Sequence, residues 1–85
     1  MKHATAAALD RLEPLLAELR SLEGLAERTR GVFYRKGRAF LHFHEDAGGL
    51  FADLRGADGG DFERIDVSGT AGCAQLVAAV RERLS

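Results

Sequence analysis

Two histidines one residue apart, His42 and His44, lie within the run AFLHFHEDAGGLFADLR at positions 39–55. Alternate residues of a strand share a face, so this spacing aims both imidazoles the same way. Asp46-Ala47-Gly48-Gly49 is a turn signal between two aromatic and apolar runs. A two-residue loop at Ala47-Gly48 places His42 opposite Asp53 and His44 opposite Phe51. Imidazole and carboxylate both ligate zinc and related ions, which makes His42, His44 and Asp53 one candidate metal site. Arg64 argues for a plainer reading. It falls in the same row on the next strand, and a guanidinium competes for the carboxylate oxygens. On that reading the row is a polar ladder with Asp53 held between a histidine and an arginine. No metal or other cofactor is therefore expected. His3, near the start of the chain, carries no expectation.

Other chemistry has less to stand on. Cys73 falls on the apolar stripe of a helix, where an inert buried thiol is expected. Asp53 and Asp66 share a face, but each has a cross-strand partner that accounts for it. A paired-carboxylate mechanism needs one acid kept protonated beside one that stays ionised. The glycine runs GADGG and SGTAG lack the strand, lysine and helix that cradle a phosphate. Nothing in the chain nominates a reaction, and the expectation is a protein that is not an enzyme.

These residues must be positioned by one small domain covering residues 1–85. Hydrophobic residues make up 46% of the chain and charged residues 29%, which fits a globular protein rather than a disordered one. A single cysteine rules out an internal disulfide scaffold and fits a reducing cytoplasm. No apolar run is long enough to span a bilayer, and the opening MKHATAAALDRL makes a poor signal peptide. A net charge of −1 gives no global pull toward nucleic acid or anionic lipid.

Leu9, Leu12, Leu15, Leu16, Leu19 and Leu22 recur at helical spacing. The spacing predicts one helix from about Ala6 to Leu22, bent at Pro14. Leu25 to Arg30 then leads to the sheet. Val32–Arg35 reads as a short strand, with a turn at Lys36-Gly37 or Gly37-Arg38. Asp58-Gly59 closes a further hairpin and pairs Asp53 with Arg64, Phe51 with Asp66 and Arg55 with Phe62. A last helix runs from Ala71 to Leu84 with Cys73, Leu76, Val77, Val80 and Leu84 as its stripe. The expected fold class is α+β in the order α-β-β-β-β-α. It is a four-stranded antiparallel meander with two helices packed on one face.

Strict alternation sorts the sheet residues onto two faces. Val32, Tyr34, Leu41, Phe43, Leu50, Ala52 and Leu54 fall beneath the helices. Phe33, Arg35, Phe40, His42, His44, Phe51, Asp53, Arg55, Phe62 and Arg64 fall on the other face. Four phenylalanines among those ten residues are more than a wetted sheet face needs. This face is expected to be a binding surface, and its simplest partner is its own copy across a two-fold axis.

Two resemblances bear on function. Lys36 to Phe43, KGRAFLHF, is similar to the signature octamer of the RNA-recognition motif. The match covers Lys36, Gly37, Ala39, Phe40 and Phe43, with Leu41 a close substitute. Arg38 stands where that family carries an aromatic, and the family's element order, β-α-β-β-α-β, differs. The resemblance implies single-stranded nucleic-acid binding, with Phe40 and Phe33 stacking bases and Arg and Lys contacting phosphates. The expected element order also resembles the frataxin layout. Frataxins bind iron along an acidic first helix. Here Asp10, Glu13, Glu18, Glu23 and Glu27 are interleaved with Arg11 and Arg20, so iron binding does not carry over. The leading expectation is a cytoplasmic interaction domain that homodimerises, with nucleic-acid binding and the metal site as alternatives and no membrane partner.

Overall fold

The computed structural model describes residues 2–85. Strand β1 (Lys2–His3) is followed by helices α1 (Ala6–Arg11) and α2 (Glu13–Arg20). Strands β2 (Ala26–Thr29), β3 (Val32–Arg35), β4 (Arg38–Asp46), β5 (Gly49–Arg55) and β6 (Phe62–Asp66) come next, and helix α3 (Thr70–Leu84) closes the chain. The sheet is antiparallel and runs β2-β3-β4-β5-β6, with β1 also paired to β4. The class is therefore α+β, but among the described residues the sheet has six strands rather than the expected four. No helix among the described residues is long and apolar enough to cross a membrane.

The expected single first helix is two. Pro14 has no N–H to offer the carbonyl of Asp10, and its ring would crowd that carbonyl. The chain breaks at Leu12, which leaves helical geometry (φ −92°, ψ 0°) and serves both as the end of α1 and as the cap of α2. Leu12 stays buried with Leu15, Leu16 and Leu19, so the break does not disturb the apolar stripe. Thr5 caps α1, its hydroxyl accepting from the Ala8 N–H at 3.2 Å.

β4 and β5 pair in the expected register, from Leu41 opposite Leu54 to Glu45 opposite Leu50. Ala47 and Gly48 form the turn, both at positive φ. β5 and β6 also pair as expected, with Asp53 opposite Arg64 and Arg55 opposite Phe62. The β3–β4 pairing differs. Lys36-Gly37 forms a tight turn with φ of 52° and 80°, and Arg35 faces Arg38. The register then shifts, so that Phe33 faces Leu41 and not Phe40. This bulge turns Phe40 and Leu41 inward together. Phe33 (1% exposed) and Phe40 (4% exposed) consequently belong to the core and not to the expected binding face. Arg35 also leaves the expected face, half-buried with its guanidinium 5.9 Å from the Phe40 ring centre.

A single cluster joins buried residues of all three helices to Phe33, Phe40, Leu41, Phe43, Leu50, Ala52, Leu54 and Val67. Alternate residues of β4–β6 fall on the outer face, which carries His42, His44, Phe51, Asp53, Arg55, Phe62 and Arg64.

Candidate metal centre

β4 is nine residues long and β3 only four, so β3 pairs with only the first half of one β4 edge. β1 takes the second half, with Lys2 opposite Glu45 and His3 opposite His44. The segment is held by its backbone: the Ala4 N–H donates to the Phe43 carbonyl at 3.1 Å, and the Thr5 N–H to Glu45 Oε1 at 2.7 Å. Directly opposed residues of an antiparallel pair share a face. His3 therefore joins His42 and His44 on the outer face. Its ring stacks on His44 (centres 5.0 Å apart, 26° between planes). His42 meets His44 edge-on at 4.8 Å.

The three side chains bring one ring nitrogen each within 4.8 Å of one another. Zn–N bonds of about 2.0–2.1 Å in a tetrahedron put ligand nitrogens about 3.4 Å apart. Rotamer adjustments of ångström size would close the cluster around such an ion. His42 Nδ1 and His44 Nε2 are already 2.9 Å apart.

His44 has a polar neighbour at each ring nitrogen. Its Nδ1 lies 3.3 Å from the Lys2 carbonyl oxygen, which can only accept. Its Nε2 lies 3.1 Å from Asp53 Oδ2, which also accepts when ionised. A neutral imidazole has one N–H. With Nδ1–H donating to the Lys2 carbonyl, Nε2 is left to accept from His42 Nδ1–H at 2.9 Å. That tautomer is also the one metal-bound histidines usually have, with Nε2 as the ligand atom.

Asp53 is 7% exposed and gripped by Arg64, whose Nε and Nη2 donate to Oδ1 and Oδ2, each at 2.7 Å. Arg64 holds the Asp53 carboxyl below its usual range, against the opposing effect of burial. The charged form of the carboxylate is thus favoured, and both oxygens are already engaged by Arg64. Its place is beside the cluster, 3.1 Å from His44 Nε2, with Arg64 as its partner. Burial first, and then the neighbouring His44, push the His42 pKa down. That favours the neutral imidazole, the form that ligates a metal.

The outer face thus gathers His42, His44, Asp53 and Arg64, with Phe62 edge-on to His42 at 4.8 Å. Phe51 and Arg55 lie on the same face, and Arg55 covers the Phe62 ring at 4.5 Å. Phe33, Arg35 and Phe40 are not part of it. Loss of Phe33 and Phe40 to the core removes the two rings on which base stacking rested. His3 is the residue that sequence reasoning missed. The available signal was the length mismatch between β3 and β4, which leaves half an edge beside His44 in need of a partner. Comparisons with family models, curated proteins and solved structures find no match to this chain.

Proposed function

We propose that this protein binds one divalent transition-metal ion through His3, His42 and His44 on the outer face of its sheet. The observation that carries the reading is the convergence of three imidazoles from β1 and β4 beside the Arg64-bound carboxylate of Asp53. Imidazole suits zinc, copper, nickel and cobalt(II), and disfavours calcium and magnesium, which prefer oxygen. Three nitrogens leave a fourth position for water or an outside ligand. The assignment is of binding, and no reaction is attached to it.

The test is a titration with zinc and with cobalt(II), the latter read by its visible absorption, which distinguishes tetrahedral from octahedral sites. The wild type should take up one equivalent. His3→Ala, His42→Ala and His44→Ala should each weaken uptake by tenfold or more. Equal affinity in all four proteins, or no uptake by the wild type at tens of micromolar metal, would refute the site.

A second reading is homodimerisation through the same face. It is favoured by Phe62, at 37% exposure the large hydrophobic side chain most open to solvent among the described residues. Light scattering on the wild type and on Phe62→Glu tests it. A wild-type monomer at high micromolar concentration, with or without zinc, rejects it.

A further inference from the structure

At the far end of β4 from the histidines, the β3–β4 turn and the loop between β5 and β6 enclose a pocket of about 390 Å³ beside the end of α3. Arg35, Lys36, Arg38 and Arg55 line it together with Phe40. Arg35 and Arg38 are direct cross-strand partners, with Lys36 in the turn between them. Like charges placed opposite each other on a sheet repel. None of these four cations makes an ion pair among the described residues. Glu82 is the one carboxylate side chain in the lining among the described residues.

The pocket is also partly pre-organised. Arg55 Nε donates to the Ala39 carbonyl at 2.7 Å, and Nη1 to the carbonyls of Gly59 and Gly60 at 3.2 and 3.0 Å. Its Nη2 makes no hydrogen bond among the described residues. Arg38 Nη2 reaches the same Gly59 carbonyl at 3.3 Å. Arg83, which also lines the pocket, has its Nε buried without an acceptor. Guanidinium groups held by carbonyls, with donors to spare, fit the oxygens of a phosphate group.

We propose that this pocket binds a small molecule bearing a phosphate or diphosphate group. The anion would sit between Arg35, Arg38 and Arg55, relieving their mutual repulsion. Neither the histidine cluster nor a bound metal is needed for it.

Isothermal titration at low ionic strength with inorganic pyrophosphate and with ADP tests this directly. Both should bind the wild type with one-to-one stoichiometry. Tighter binding of ADP would indicate that the pocket holds an ester, and equal affinity that it recognises the anion alone. Arg35→Glu and Arg38→Glu should each lose tenfold or more in affinity. Arg28→Glu, which alters a cation lying over Tyr34 outside the pocket, should bind as the wild type does. Circular dichroism on each variant confirms that it is folded, and a variant that is not is replaced by Arg38→Gln, for which the same tenfold loss is expected. No binding to the wild type overturns the proposal. So does an equal loss in Arg28→Glu, which would mark the attraction as one of overall charge.

Discussion

Phe33 and Phe62 would share a face if β3 to β6 alternated without interruption, yet one is sealed in the core and the other lies open. Truncating a buried phenylalanine to alanine costs about 3–5 kcal/mol. Phe33→Ala should therefore lower the denaturation midpoint severely. Phe62→Ala removes a partly exposed ring that packs on His42 and the Arg55 guanidinium, and should cost about 1 kcal/mol or less. Urea unfolding of both variants checks the pair, and comparable losses would mean that Phe33 is not in the core. The bulge at Phe40 decides this difference. Its trace in the sequence is the adjacent pair Phe40-Leu41 in a run that otherwise alternates, and two neighbouring apolar residues can both point inward only if the ladder slips. The row His42, Asp53, Arg64 was legible because two glycine turns each fix a register. His3 was not, because a two-residue strand has no periodicity to read.

The first turn of helix α3 meets the end of β6 at Gly72, and the backbones approach closely there. A Cβ built on Gly72 would lie 1.9 Å from the Asp66 carbonyl oxygen and 3.0 Å from its carbonyl carbon. The link from β6 to α3 is only Val67–Gly69, tied by the Ser68 N–H donating to Asp66 Oδ1 at 2.8 Å. Backbone on both sides leaves no side chain free to move aside. Gly72→Ala should destabilise by about 1–3 kcal/mol or more, as overpacking does, and in a domain this size roughly 4–8 °C of melting temperature follows each kcal/mol. Gly69→Ser is the control. Gly69 caps α3 without a side-chain hydrogen bond and has open space around it, so a serine there should be neutral or stabilising. Melting curves for the two variants should move apart, and a Gly72→Ala protein as stable as the wild type would contradict this packing. Other elements show what sequence patterning misses. β3 to β6 announced themselves by alternation and turns. β2, Ala-Glu-Arg-Thr, is a mostly exposed edge strand with no apolar alternation. The α1–α2 break was foreshadowed by Pro14, but the unbroken leucine spacing argued for continuity, because a tight break at Leu12 preserves the stripe.

At the scale of the whole molecule, an ionic network joins the first two helices to the hairpin at the sheet edge. Arg20 in α2 donates to Glu27 in β2 through Nε at 2.5 Å and Nη2 at 3.1 Å, and to Glu13 through Nη1 at 2.5 Å. Arg30, in the β2–β3 turn, bridges Asp10 and Glu13, each at 2.8 Å. Glu27 Oε2 also accepts from the Gly31 N–H at 2.8 Å, which pins the turn. The hydrogen bond from Arg20 pulls the Glu27 pKa below its ordinary 4.5, with burial opposing. A carboxylate whose pKa is lower folded than unfolded stabilises the fold at pH values above the unfolded value. That contribution fades as pH falls through 4.5 toward the lower folded value, because the unfolded chain takes up its proton first. Glu27→Gln keeps the size of the side chain and deletes the charge. Because Arg20 is partly exposed, the pair is worth roughly 1 kcal/mol or less. The variant should trail the wild type by that margin at pH 7, and the gap should close as pH drops below 4.5. Raising the salt at pH 7 should narrow it as well, since partly exposed charges are screened. Urea unfolding of both proteins from pH 7 to pH 3 measures the margin directly. A gap that stayed constant across that range would assign the Glu27 contribution to its uncharged contacts, and Arg30, through Asp10 and Glu13, would then be the ionic link between the helices and the hairpin.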